Sequence, residues 1–307
     1  MHRGQELHKT VAYTDKTGGS ECFRVCRFFF TDTAIDKITK YRYIIINKKI
    51  ENIRAGQQND KLRPGFIRRN HMWKKSINIH EVKELRCKTD LFLGVGAIQK
   101  IDSICKDLAA DGIDSILVVA SRSAYKKCGA WDVVEAALQK HNIQYEVYNG
   151  ITPNPDNEQV DEAVEVGQRI GAKAVLGIGG GSPIDAAKSA AILLEYTDNN
   201  CRQLYSYEFT PTKAVPIIAV NTTHGTGTEV DRFAVVSIPE LGHKPAIAYD
   251  CIYPLYAIDD PALMQGLPEN QTLFVTIDAI NHIVEAATTT VATPYSILLA
   301  KETVKLI

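Results

Sequence analysis

"AKAVLGIGGGSPIDAAKSAAILLE", residues Ala172 to Glu195, decides the fold. An apolar run leads into three glycines, and Ser182 with Pro183 then opens a helical stretch. Proline suits the first turn of a helix, where its missing N–H is no loss. A strand that ends in glycines and turns straight into a helix is a βα unit. Glycines Gly179, Gly180 and Gly181 let backbone N–H groups come close to a ligand, and a helix N-terminus favours negative charge. A bare triple glycine is equally well a tight turn. Its position between strand and helix favours phosphate binding. It is neither G-x-G-x-x-G nor a Walker loop, because no G-K-[ST] follows.

The same scheme repeats on both sides. "TDLFLGVGAIQKIDSICKDLAADG" reads as a short strand, a glycine turn and a helix with Ile98, Ile101, Ile104 and Leu108 at helical spacing. "SILVVAS" is a continuous buried strand, "AWDVVEAALQKHN" a helix, "QYEVYNG" a strand and "ITPNPDN" a loop broken by two prolines. "NEQVDEAVEVGQRIG" is an amphipathic helix, and "AVPIIAVNTTHGTGTEV" is another strand running into a polar, glycine-rich loop. Alternating strands and helices predict an α/β fold with an open, mostly parallel sheet of dinucleotide-binding type. Ligands in such sheets sit at the carboxyl ends of the strands. From Thr272 onward the text is helical, broken at "TTTVATPYS". The expected organisation is a basic, unassigned extension over 1–85, the α/β domain over 86–262 and the start of an all-helical domain over 263–307. The last helix, "ILLAKETVKLI", has no glycine stop, so the helical domain reads as truncated.

Composition agrees with a globular protein: 45% hydrophobic and 23% charged. The net charge of −1 conceals an asymmetry, because residues 1–85 hold 18 Lys+Arg against 9 Asp+Glu. "RPGFIRRNHMWKKS" mixes basic and aromatic residues but is no nucleic-acid recognition motif, and a solvated extension is the simpler reading. Seven scattered cysteines argue against a disulfide framework and for a reducing compartment. Cys22 and Cys26 form a lone C-x-x-x-C without further ligands. No stretch reaches the roughly 18 apolar residues of a membrane span, and "MHRGQELHKT" lacks the apolar core of a signal peptide. The expected location is the cytoplasm.

Two further motifs bear chemistry. "NTTHGTGTEV" offers hydroxyls from Thr222, Thr223, Thr226 and Thr228 at a strand end, able to hold a cofactor's ribose, pyrophosphate or carboxamide. Threonine and glycine also simply cap helices, and a lone loop histidine such as His224 is more often solvated than a proton carrier. "TIDAINHIVEA" places Asp278 and His282 four apart, on one face of a helix in a segment that reads as buried. Such a pair can bind a divalent metal, but a site needs at least three protein groups.

Together, "PNP" at Pro153–Pro155, "GGGSPIDAAK", "TTHGTGTEV", "AIDDPAL" and "DAINHIVEA" stand in the order and spacing of the iron-containing (group III) alcohol dehydrogenases, which this chain resembles from about Arg86 to Ile307. The resemblance implies that Gly180, Gly181 and Ser182 hold a pyrophosphate. It places Asp185 and Asn154 beside the cofactor, Thr222, Thr223 and Thr226 along its other side, and Lys244 close by with Phe233. It makes Asp278 and His282 the first two of four metal ligands, the other two being histidines further on. It implies NAD or NADP with Fe²⁺, alternatively Zn²⁺, and a small alcohol or aldehyde as substrate; a homodimer stays open, and from the residues themselves neither a membrane nor a nucleic-acid partner is expected. The metal would polarise the alcohol or carbonyl oxygen while hydride passes to or from nicotinamide. No side chain stands out as a general acid or base. Where NAD-preferring relatives carry an aspartate, this sequence has Ser121 and Arg122, which tolerate a 2′-phosphate. A glycerol dehydrogenase, a dehydroquinate synthase-like enzyme and an inactive nucleotide-binding fragment are the alternatives.

Overall fold

The computed structural model describes residue 86 and residues 88–307. The expectations for residues 1–85 lie outside the described residues. The chain runs through β1 (Asp90–Leu93), α1 (Ile101–Ala110), β2 (Ser115–Ser121), α2 (Ala124–Lys127), α3 (Ala130–Lys140), β3 (Gln144–Ile151), α4 (Asn157–Arg169), β4 (Ala174–Gly179) and α5 (Gly181–Leu193). It continues through α6 (Cys201–Tyr205), β5 (Ile217–Asn221), β6 (Phe233–Val235), β7 (Ala246–Ala248), β8 (Tyr256–Asp259), α7 (Glu269–Thr288) and α8 (Pro294–Leu306).

Six strands form one sheet in the order β1-β8-β5-β4-β2-β3, and every adjacent pair is parallel. The predicted α/β class is what the structure has. Parallel strands covered on both faces must be apolar throughout, and β2 and β4 are buried almost without interruption. Alternate residues serve opposite faces. Leu117 and Val119 pack with α4 and α5, whereas Ile116, Val118 and Leu176 pack with α1 and α3. Helix α5 is buried along most of its length because it is enclosed by the sheet on one side and by α4 and β6 on the others. Gly177 admits it closely: a Cβ there would lie 3.0 Å from the Ala187 Cβ.

The strand order reverses between β2 and β4. Strand β2 hands the chain outward to β3, and α4 returns it to β4 on the other side of β2. The carboxyl ends of β2 and β4, at Ser121 and Gly179, therefore flank the crevice in which such sheets bind ligands. Among the described residues, no helix is long and apolar enough to cross a membrane.

Some elements differ from the sequence reading. Helix α5 starts at Gly181 with Gly180 as its cap, ahead of the expected Ser182. The β6–β7 hairpin and β8 have no separate signature, because strands of three or four residues are too short to show a period. Helices α7 and α8 form where the helical reading put them. The expectation that the "TIDAINHIVEA" segment is buried does not hold: Val275 is the buried residue of α7, while Leu273, Phe274, Ile277 and Val284 are exposed.

The double-sided packing of β4 makes a direct prediction. Leu176→Ala, at a fully buried position, should lower stability by about 2–5 kcal/mol, read as a reduced urea midpoint at unchanged slope.

Candidate functional site

The glycine cluster and the threonine loop meet face to face. A Cβ on Gly180 would lie 2.6 Å from Thr223 Oγ1, and one on Gly181 would lie 3.1 Å from Thr226 Cγ2. Gly179 is held at φ +153 with Pro183 beneath it, a geometry that L side chains rarely adopt. The hydroxyls of Thr223 and Thr226 are buried and have no hydrogen-bond partner. Buried hydroxyls are ordinarily paired. Two orphans beside a glycine-lined helix N-terminus form a cradle of the kind that suits an anionic group.

Asn154 and Lys244 close one end of this cradle. Asn154 has φ 58, a left-handed conformation that asparagine tolerates. Its backbone N–H donates to Ser182 Oγ at 3.3 Å, and its Oδ1 accepts from Lys244 Nζ at 2.7 Å. Loop, glycine cluster and the β6–β7 connection are thus tied together through three residues chosen from sequence alone.

Asp185 and Phe233 sit differently. Asp185 Oδ1 accepts from Thr228 Oγ1 at 2.6 Å and Oδ2 from the Val235 N–H at 3.1 Å. Burial pushes its carboxyl up to about 6 against the pull of Lys188 and these hydrogen bonds. Its carboxylate thus braces the turn after the threonine loop. Phe233 is 41% exposed on β6, with its ring 6.0 Å from the Arg232 guanidinium.

The bracing centres on Lys188, a residue the motif reading passed over. It is fully buried, and its ammonium donates to Thr228 Oγ1, Asp231 Oδ1 and the carbonyls of Asp231 and Phe233, all within 2.8–3.0 Å. A lysine in the middle of an alanine-rich helix that follows a buried strand was the available signal. Such a cation persists only when paired.

The threonine loop has a second face, toward α7. Gly225 has φ +106, and a Cβ on it would lie 2.2 Å from the Val275 carbonyl oxygen. His224 Nε2 is 2.9 Å from Thr276 Oγ1. His282 Nδ1 lies 3.3 Å from the Gly225 carbonyl. A carbonyl can only accept, so Nδ1 is the donor in this contact and Nε2 is the ring nitrogen left facing away from it. That Nε2 is 3.8 Å from Asp278 Oδ1, with both side chains about half exposed. An imidazole nitrogen and a carboxylate oxygen converging in this way fit a divalent metal, and the Gly225 carbonyl is the outer partner that orients the ring. Among the described residues, no cluster of three or more His, Cys, Asp or Glu is gathered. The described chain supplies two donors.

The family model for iron-containing alcohol dehydrogenases covers residues 88–261. The chain is 58% identical over 236 residues to the long-chain primary alcohol dehydrogenase AdhA of Thermoanaerobacter ethanolicus, covering 77% of this chain and 59% of that protein. It is 32% identical to NADH-dependent butanol dehydrogenase A of Clostridium acetobutylicum, over 64% of this chain and 50% of the relative. The crystal structure of NADH-dependent butanol dehydrogenase A from Thermotoga maritima superposes with a TM-score of 0.67 at 32% identity, covering 74% of this chain and 58% of that one. The chain thus spans about three fifths or less of these relatives' length. These matches favour the alcohol dehydrogenases over the glycerol dehydrogenase and dehydroquinate synthase alternatives. The family's description names iron, and nothing supports the zinc alternative.

The bracing and docking contacts predict two outcomes. Lys188→Met should destabilise the fold by about 3 kcal/mol, because Asp231 and Thr228 lose their buried partner; chemical denaturation measures it. Gly225→Ala should separate the loop from α7, seen as faster amide exchange across 222–228 and in α7 while β2 and β4 stay protected.

Proposed function

The chain belongs to the iron-containing alcohol dehydrogenase family, which implies a nicotinamide dinucleotide and Fe²⁺ in general. From that premise we propose that the whole protein interconverts a small alcohol and its aldehyde or ketone. The observation that supports this best is the threonine loop, one face of which closes the glycine cradle while the other orients His282. A single seven-residue segment thereby links a dinucleotide-type anion site to half of a metal site.

In this reading, the N-terminus of α5 and the backbone of Gly180–Ser182 hold the pyrophosphate. The Thr223 and Thr226 hydroxyls donate to the cofactor and so gain the partners they lack. Lys244 neutralises phosphate charge while Asn154 Oδ1 fixes its direction. Asp278 and His282 hold the metal as an anionic oxygen and a neutral nitrogen donor, with further ligands from residues beyond the described pair. The bound metal would supply Lewis-acid polarisation of the substrate oxygen, and nicotinamide would carry the hydride.

The reading extends to NADP rather than NAD as the cofactor. With the threonine loop at the end of β5, the adenosine half of the cofactor extends toward the end of β2 on the other side of the glycines. An acid there would accept from an unmodified ribose. Residues 121–128 contain no acid but hold Arg122, Lys126 and Lys127, all exposed. An arginine pairs well with a terminal phosphate.

Two measurements test this. Nicotinamide fluorescence titrations of the purified chain should give tighter binding of NADPH than NADH by about tenfold or more, and Arg122→Asp should reverse the order. Equal affinities in both proteins would refute the NADP assignment. In the whole protein loaded with Fe²⁺, Asp278→Ala and His282→Ala should each lower alcohol-dependent NADP⁺ reduction by at least about a hundredfold; retained activity would remove the metal assignment.

A further inference from the structure

Beneath the threonine loop, the turn that carries Glu229 packs on the end of β8 and brings two carboxyl groups together. Glu229 lies in the single turn Thr228–Val230 that ends the loop. It is 7% exposed, and its Oε2 is buried without a hydrogen-bond partner. The group it faces is Asp259, the last residue of β8. Asp259 is the register partner of Asn221, the last residue of β5. Asn221 Nδ2 donates to Asp259 Oδ1 at 2.9 Å, and Asn221 Oδ1 accepts from the Thr223 N–H at 3.1 Å. A chain of contacts therefore runs from Glu229 through Asp259 and Asn221 to Thr223, whose hydroxyl overlies Gly180.

The turn packs against α5, β5 and β8. The charged groups these and the adjoining loop present to Glu229 are Asp259, Asp231 and Lys188. Two are acids, and Lys188 directs its ammonium at Asp231, Thr228 and Phe233 rather than at Glu229. Two ionised carboxylates in such a place repel one another and are poorly solvated, so the stable state holds one proton between them. Burial and the facing Asp259 push Glu229 up to about 7, and burial raises Asp259 as well.

We propose that Glu229 and Asp259 share one proton and act as a positioning pair, holding Asn221 and Thr223 against the glycine cradle. The proposal rests on the reading that this cradle takes a dinucleotide. With the proton present, Glu229 donates to Asp259, which stays anionic and keeps accepting from Asn221. Without it, two charges stand together, Glu229 is driven outward and Thr223 loosens. The folded state holds this proton to higher pH than an unfolded glutamate does. Stability from the pair is therefore complete at low pH and lost as pH rises toward and through neutrality.

The experiment follows the thermal midpoint and the nicotinamide-fluorescence affinity for NADPH, both across a pH series, in the wild-type chain and in Glu229→Gln. The glutamine amide donates to Asp259 at every pH. In the wild type, both midpoint and affinity should fall on the alkaline side, affinity by about tenfold, the change that a one-unit difference in pKa between free and bound forms produces. Glu229→Gln should flatten both profiles while keeping the tight low-pH affinity. Asp259→Asn probes the pair from the other side and should move the thermal limb to lower pH, because the facing charge is gone. Thermal profiles unchanged in both variants would overturn the shared proton. A flattened thermal profile with an unchanged affinity profile would overturn the positioning role. Failure of the wild type to bind NADPH or NADH at any pH would overturn the functional reading and the positioning role with it, while the thermal profiles would still decide the shared proton.

Discussion

The site depends on one close approach, that of the Thr223 hydroxyl to the backbone of Gly180. Any side chain at Gly180 would occupy the space the hydroxyl fills. Without this approach, the glycine cluster would be only a turn between a strand and a helix. With it, two unpaired hydroxyls stand beside the helix N-terminus, and the Asn154–Lys244 pair is tied to the same turn through Ser182. The remaining architecture holds the loop on which Thr223 lies.

That loop is held from three directions by different physics. Lys188 and Asp185 brace its far end from inside α5, a buried cation and a buried acid whose cost is offset by hydrogen bonds on both. Asn221 and Asp259 hold its near end to the sheet. Gly225 lets its middle lie against α7 at backbone contact distance. The same segment also meets His282 through the Gly225 carbonyl, so the two halves of the candidate site are oriented together. A disturbance of the loop should reach both halves together, because discrete packed contacts rather than a flexible tether connect them.

Much of this was legible before any coordinates. The apolar run ending at Gly179 and the glycine cluster behind it specify a βα unit through local rules alone. The repeated scheme specifies a parallel sheet, because only crossover connections join parallel strands. The spacing of Asp278 and His282 places both on one face of α7 by helical geometry. The β6–β7 hairpin was not legible, since three-residue strands gain their stability from tertiary contacts and show no period. Lys188 was hidden for a related reason: its partners Asp231 and Phe233 are over forty residues away in sequence.

The sequence by itself therefore determined the fold class, the glycine cradle and the candidate metal pair, because each follows from short-range spacing and backbone freedom. Only the tertiary structure decided what those residues do together. It gave Asp185 and Lys188 to the bracing of the loop, left much of α7 exposed, and set Glu229 against Asp259. These outcomes turn on which distant groups burial brings into contact and which charges it leaves without water.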